Sequence, residues 1–143
     1  MGVEENKAAV MRAIDYWNAH DDRYYEVYAD GVVAHGFPPD VTPDIDGIRA
    51  MFGGMWVAFP DLHGDLQHLV LEEDTAAVHF RVTGMHEGEF MGIPPTGKRI
   101  DIEVMAFLRF TDEGKIAERW TVMDQVGMLN QLGAMPPPSE APA

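Results

Sequence analysis

Apolar side chains recur every three or four residues in two stretches of the first sixty residues, and this spacing predicts two amphipathic helices. The first helix covers residues 3–19, and the second runs from about residue 44 to about residue 59 with Asp44 or Asp46 as its cap. The apolar positions are Val10, Met11, Ala13, Ile14 and Trp17, then Ile48, Met51, Phe52, Met55 and Phe59. Each helix therefore has an apolar face that another layer of structure must cover.

The segment between these helices is interrupted by glycine and proline. We predict a short helix over residues 23–29 that Gly31 ends, and a short strand over residues 32–35. Residues 36–43 contain three prolines and are predicted to form a loop.

After residue 60 the apolar period changes to two, which indicates β-strands. The predicted strands cover residues 62–71, 76–85, 99–111 and 115–124, and a short helix follows over residues 125–132. Helices followed by a run of strands indicate an α+β fold, with the helices packed on one face of a curved antiparallel sheet.

The composition limits what this chain of 143 residues can do. A hydrophobic fraction of 46% predicts one packed domain over residues 1–133, before a disordered Pro-rich tail over residues 134–143. The formal net charge of −14 argues against nucleic acid and anionic membranes as partners, because both select basic surfaces. The chain has no cysteine, which excludes disulfides and thiolate chemistry. It also shows no signal peptide or membrane span, so we expect a cytoplasmic protein.

Asp124 ends a predicted strand on the same face as Trp120 and Val122. A carboxylate beside apolar side chains is costly to keep charged unless it is paired or a raised pKa is useful, so an acid–base role is one interpretation. Asp is also a favoured N-cap, so capping of the following helix is the other.

Two of the six histidines, His35 and His86, are predicted at strand ends beside loops. Either could be a plain surface residue, a general acid–base, or a donor to a substrate carbonyl, because imidazole titrates near neutrality. The histidines lack metal-ligand spacing and no glycine-rich phosphate or dinucleotide motif occurs, so we expect no metal and no organic cofactor.

Helices that cover a curved sheet can leave a cavity lined by aromatic residues and Met, which is a common setting for a small-molecule site. The ten methionines agree with an adaptable apolar pocket. Taken one by one, most of the candidate wall residues are more often ordinary core residues than pocket residues. The candidate wall residues are Trp17, Phe52, Met55, Phe59, Met105, Phe107 and Trp120.

Residues 83–98 read TGMHEGEFMGIPPTGK, which resembles the TGTHxGxFxGIPPTGK loop of the SnoaL-like polyketide cyclase family. Three more segments agree with that family, and the resemblance extends to residue 133. They are Ala58-Phe59-Pro60-Asp61-Leu62, the stretch from Gly114-Lys115-Ile116 through Trp120 to Asp124, and Gln131-Leu132-Gly133. The resemblance implies the cone-shaped α+β barrel of the nuclear transport factor two-like superfamily, usually a homodimer formed through the open face of the sheet.

The resemblance also implies a chemistry. The best-known members close the last ring of anthracycline polyketides by intramolecular aldol condensation, without a metal or an organic cofactor. It assigns the acid–base carboxylate to Asp124 and pocket positions to Tyr16 and Trp17. Ring-closing members carry a second pocket His on the neighbouring strand. Residues 99–111 contain none, and Met105 and Phe107 are predicted to take the inward positions.

The sequence therefore predicts a cofactor-independent acid–base enzyme that acts on an apolar, polycyclic carbonyl compound in a closed pocket. Asp124 would remove a proton next to the carbonyl, and His35, His86 or Tyr16 would stabilise the enolate. Two alternatives stay open. One is a hydrolase or isomerase on the same scaffold, and the other is a non-catalytic dimeric module that binds a small ligand.

Overall fold

The computed structural model describes residues 2–134, which form three α-helices, a short 3₁₀ helix and a five-stranded sheet. The helices are α1 (Val3–Asn18), a short 3₁₀ helix (Asp22–Val27), α2 (Ile45–Ala58) and α3 (Gln125–Leu132). The strands are β1 (Tyr28–His35), β2 (His63–Glu72), β3 (Thr75–Met85), β4 (Arg99–Phe110) and β5 (Ile116–Met123). Three of the four predicted helices and the four long strands are present. The predicted tail over residues 134–143 lies outside the described residues, apart from Ala134.

The five strands form one curved sheet in the order β1-β5-β4-β3-β2. The three pairs within β2–β5 are antiparallel, as the sequence predicted. Strand β1 is the exception, because it pairs with β5 in parallel and makes the sheet mixed rather than fully antiparallel. Strand β5 follows β1 only after α2 and three further strands, so no local sequence pattern predicts that the two strands pair.

Strand β1 begins four residues earlier than predicted, at Tyr28 rather than Val32. Gly31 was expected to end a helix. It lies inside the strand instead, with a φ of +75° that glycine adopts without strain. The pairing of β1 with β5 shifts between Tyr28 and Val33, so the strand is bulged around this glycine. The predicted helix over residues 23–29 is correspondingly reduced to the 3₁₀ helix.

The strands alternate between a face covered by α1 and α2 and an outer face that carries exposed apolar side chains. On β4 the covered face carries Ile100, Ile102, Ala106 and Leu108, all of them buried. The outer face of the sheet is defined here by its exposed apolar side chains, which are Val33, Met105, Phe107, Trp120 and Val122.

The prediction that Met105 and Phe107 point inward was wrong. Their side chains are 55% and 56% exposed, on the outer face of the sheet. Side chains alternate with period two, so a one-residue error in assigning the faces moves every residue of a strand to the wrong side.

The sequence predicted either Asp44 or Asp46 as the N-cap of helix α2, and the N-cap in the structure is Asp44. Asp44 has an extended backbone, and its carboxylate accepts the N–H of Gly47 at 3.0 Å. Asp46 lies within the first turn, where a negative charge is favourable near the positive end of the helix.

Two glycines of α2 provide a matched test of packing. A Cβ at Gly47 would lie 1.7 Å from the carbonyl oxygen of Thr42, whereas a Cβ at Gly54 would meet no atom within 4 Å. We expect Gly47→Ala to lower the free energy of unfolding by about 1–3 kcal/mol, because the backbone must move. We expect Gly54→Ala to raise it by about 1 kcal/mol through helix propensity. Urea denaturation of both variants measures the two effects, and equal values would contradict the close packing of residue 47.

Candidate functional site

A cavity of about 110 Å³ lies between α1, α2 and the covered face of the sheet. Its walls are mostly apolar, and they include three predicted wall residues, Trp17, Phe52 and Met55. The other lining residues are Val10, Ala13, Ile14, Asn18, Tyr24, Gly36, Phe37, Pro38, Met51, Gly64, Val78, Phe80, Val82, Val104, Leu108, Ile116, Arg119, Thr121 and Met123. An engineered apolar cavity of about 150 Å³ in another protein binds benzene, so this space holds about one ring.

One wall of the cavity carries a buried guanidinium, that of Arg119, which is only 7% exposed. Its Nη1 donates to the hydroxyl oxygens of Tyr28 at 2.6 Å and Tyr24 at 3.2 Å. Its Nε donates to Thr121 Oγ1 at 2.9 Å. The two tyrosine hydroxyls are also hydrogen-bonded to each other. We call these four residues the Arg119 cluster.

The rings of Phe52 and Phe37 hold the guanidinium from the apolar side. The Cζ atom of Arg119 lies 5.2 Å from the Phe52 ring centroid and 5.8 Å from that of Phe37. Both distances are in the range of cation–π attraction. The charge is therefore fixed between aromatic rings on one side and hydroxyls on the other.

Two groups of the Arg119 cluster, the guanidinium of Arg119 and the phenol of Tyr24, have raised pKa values. Burial alone lowers the pKa of Arg119, but the neighbouring Tyr28 and Tyr24 outweigh burial and raise this pKa above its usual value. Burial first, and then the adjacent Tyr28, raise the pKa of Tyr24 well above its usual value. At neutral pH the Arg119 guanidinium is thus charged and the Tyr24 phenol keeps its proton, so both groups can donate hydrogen bonds.

The cavity contains no base among the described residues. No Asp, Glu or His belongs to its lining residues, and the amide of Asn18 already bonds both the N–H and the carbonyl of Gly64. Any proton acceptor must therefore come from the ligand, from water, or from a side chain that turns into the cavity.

The alternation of side chains along β5 points Arg119 and Thr121 toward the cavity. Arg119 and Thr121 point to the covered face, whereas Glu118, Trp120 and Val122 lie on the opposite side. Trp120 was predicted as a pocket residue, but it is 39% exposed on the outer face of the sheet. Arg119 was not predicted as a cavity residue for the same reason, although placing Trp120 outside would have put Arg119 inside.

Asp124 caps α3. Its carboxylate accepts the N–H of Gly127 at 2.8 Å, and the residue is exposed and outside the cavity lining. The residue before it, Met123, does line the cavity. The capping interpretation thus describes the observed position, and the carboxylate is one residue away from the cavity wall.

His35 lies on the outer side of the sheet rather than in the cavity. Its Nε2 is 2.7 Å from Glu118 Oε2, and its ring stacks on Trp120 with centroids 5.2 Å apart. The hydrogen bond to His35 is the main cause that lowers the pKa of Glu118, and Arg109 at 3.2 Å adds to it. His35 therefore contacts a surface carboxylate and not Asp124.

His86 is fully buried, although a loop position had been expected. Its Nδ1 accepts the N–H of Thr96 at 3.2 Å, and its backbone bonds Lys98 and Gly97 at 2.8 Å each. Its ring packs against Phe59 at 5.3 Å. This histidine ties together the two ends of the loop over residues 86–98, and it does not line the cavity.

The sequence profile of the SnoaL-like polyketide cyclases matches residues 7–132. The chain belongs to this family. AclR from Streptomyces galilaeus, a proposed hydroxylase, is 32% identical with a TM-score of 0.83, over 95% of this chain and 89% of AclR. IdmH from Streptomyces antibioticus, a proposed polyketide cyclase, is 31% identical with a TM-score of 0.76, over 90% of this chain and 98% of IdmH.

TsrD from Streptomyces laurentii shares the same architecture at 26% identity, with a TM-score of 0.83 over 94% of this chain and 99% of TsrD. Among curated proteins, no relative matches significantly. The mixed α+β architecture with a curved five-stranded sheet matches the cone-shaped fold of these SnoaL-like relatives.

Two of the family signature segments of this SnoaL-like chain, residues 58–62 and 83–98, bond to one another away from the cavity. The carbonyl of Ala58 accepts the N–H groups of Glu87 and Gly88 at 2.9 and 3.0 Å, and Asp61 accepts the N–H of Met85 at 2.7 Å. The loop over residues 86–98 supplies none of the residues that line the cavity. These two segments thus help to hold the SnoaL-like fold together, and they supply no residue to the cavity wall.

Two further predicted pocket positions lie elsewhere in the SnoaL-like fold. Tyr16 faces a separate polar groove, with the guanidinium of Arg23 4.9 Å above its ring. Phe59 is fully buried against His86 and Phe90 in the core beside the loop. Trp17 occupies the cavity side of α1, and its neighbour Tyr16 consequently points away from it.

Residues 2–134 contain no cluster of three or more His, Asp or Glu side chains that could hold a metal ion. In the same part of the chain, no helix is both long enough and apolar enough to cross a membrane.

Proposed function

We propose that the protein is a cofactor-independent enzyme of the polyketide cyclase type, which moves a proton next to the carbonyl of an apolar ring compound. The observation that supports this proposal best is the Arg119 cluster in the wall of an otherwise apolar cavity. The cavity holds about one ring, so the reacting carbonyl belongs to the ring of a larger compound that reaches Arg119.

In this proposal Arg119 stabilises the enolate oxygen. Its Nη2 makes no hydrogen bond to a described residue, whereas Nη1 and Nε are both engaged. The raised pKa of Tyr24 keeps a phenol proton available beside it. Donors fixed in a cavity without bulk water favour the charge that develops in the transition state, by about 10²–10³-fold per donor.

Asp124 is the proposed base. It directly follows a cavity-lining residue, Met123, and the family resemblance assigns the acid–base role to this position. To act, its side chain must release the N–H of Gly127 and turn toward the cavity, so capping and catalysis alternate. General base catalysis by such a group contributes about 10²–10⁴-fold.

A second candidate is a non-catalytic module that binds a small ligand. The observation in its favour is that Asp124 serves as a cap and that no base lines the cavity among the described residues. A hydrolase that uses several pocket carboxylates is disfavoured by the same lining residues. The relatives AclR and IdmH carry different proposed activities, so the shared fold does not choose the reaction.

The test uses β-tetralone, an apolar bicyclic ketone with exchangeable protons next to its carbonyl. We expect the wild-type protein to accelerate proton–deuterium exchange at this position, measured by NMR in heavy water against a heat-denatured sample. An enzyme gives exchange that saturates with ketone concentration. Binding without faster exchange contradicts the enzyme and supports the ligand-binding module.

The homodimer implied by the resemblance is also a proposal. The proposed dimer interface is the outer face of the sheet, where the apolar side chains of Met105, Phe107 and Trp120 are exposed. Sedimentation of the wild type and of Phe107→Glu measures it, because a charge at the centre of the interface is expected to give monomers.

A further inference from the structure

The Arg119 cluster has several hydrogen-bond donors that find no acceptor among the described residues. The two N–H groups of Arg119 Nη2 have no acceptor among the described residues. The tyrosine hydroxyls share one bond, so one of their two O–H groups is also unassigned. The hydroxyl of Thr121 accepts from Arg119 and donates to no described residue.

The positive charge of Arg119 also has no carboxylate partner among the described residues. The chain has 24 Asp and Glu residues, yet none of the ion pairs among the described residues involves Arg119. Four more exposed arginines do have a carboxylate partner, as Arg81 has in Asp101. A buried charge without a partner costs several kcal/mol, and a ligand of opposite charge removes that cost.

We propose that the ligand carries a negatively charged oxygen on its ring when it binds, and that this oxygen binds one N–H of Arg119 Nη2, which leaves the other for the reacting carbonyl. The class comprises enolised cyclic dicarbonyls, phenolates and ring carboxylates, which share an anionic oxygen on an apolar body. The rest of the ring lies against Trp17, Phe52 and Met55. This inference rests on the proposed function in taking the cavity as the ligand site, and it adds the charge of the ligand.

Benzoate and nitrobenzene test the inference, because the two have nearly the same shape and differ in charge. We expect isothermal titration calorimetry at neutral pH to show benzoate binding at least about tenfold more tightly than nitrobenzene. In Arg119→Met the ratio is expected to fall to about one, with nitrobenzene affinity nearly unchanged. Arg99→Met is the control. It removes the same charge from an exposed arginine outside the cavity, and the ratio should stay that of the wild type.

A second measurement needs no variant. The Nε–H resonance of Arg119 in the wild-type protein is expected to shift with benzoate and to stay in place with nitrobenzene. Equal affinities, absence of binding by both probes, an unmoved Arg119 resonance, or a benzoate preference that persists in Arg119→Met would each overturn the inference.

The outcomes separate this inference from the proposed function. Benzoate preference without exchange of β-tetralone protons would overturn the enzyme and keep the anionic ligand. Saturable exchange with equal binding of benzoate and nitrobenzene would keep the enzyme and overturn the anionic ligand.

Discussion

Replacing Arg119 with Met is expected to slow the exchange of β-tetralone protons by about 10²–10³-fold. Met keeps most of the volume of the side chain but removes every donor and the positive charge. The enolate oxygen then develops in a cavity that keeps only hydroxyl donors, so the transition state loses more stabilisation than the bound ketone does. We expect the loss in kcat, measured by the same NMR exchange, with a smaller change in KM.

The same variant is not expected to weaken the fold. Arg119 is buried without a carboxylate partner, and replacing such a charge with an apolar side chain of similar size is often neutral or stabilising, by about 1–4 kcal/mol. The hydroxyls of Tyr24 and Tyr28 retain each other as partners. Urea denaturation measures the stability. A variant that exchanges protons as fast as the wild type would contradict the catalytic role of Arg119.

Replacing Asp124 with Asn is expected to slow the exchange by about 10²–10⁴-fold while the protein keeps its stability. The carboxamide oxygen can still accept the N–H of Gly127, and Asn is as good an N-cap as Asp. An amide cannot take up the substrate proton, so the variant removes the base and leaves the cap.

Asp124→Ala is the matched control, because it removes both roles. It should lower the free energy of unfolding by about 1 kcal/mol, the usual effect of losing a cap, and should lose the exchange as well. If Asp124→Asn exchanged protons at the wild-type rate while Asp124→Ala was destabilised, Asp124 would be a cap alone.

The order of the elements could be predicted from sequence because each depends on local signals. Apolar period, prolines and capping aspartates located α1, α2, α3 and the strands β2–β5. Strand β1 could not be predicted in the same way. Its parallel pairing with β5 joins residues far apart in the chain, and the bulge at Gly31 resembles a helix end when the sequence is considered alone.

The cavity was only partly predictable. Helical spacing correctly directed Trp17, Phe52 and Met55 inward, because α1 and α2 each have one apolar face. The strands were ambiguous, since Phe107 and Trp120 on the outer face are as apolar as the buried residues of β4. Because hydrophobic residues were expected inside, the face of β5 with Trp120 was predicted to line the cavity. Arg119 was not predicted in the interior because it is charged.

The alternation along β5 has a consequence for how such cavities diversify. Arg119 and Thr121 face the cavity, and Trp120 lies between them on the outer face of the sheet. A one-residue shift of β5 against β4 would exchange the two sets and place an indole in the cavity instead of a guanidinium. The polarity of the cavity is thus determined by the register of one strand pair.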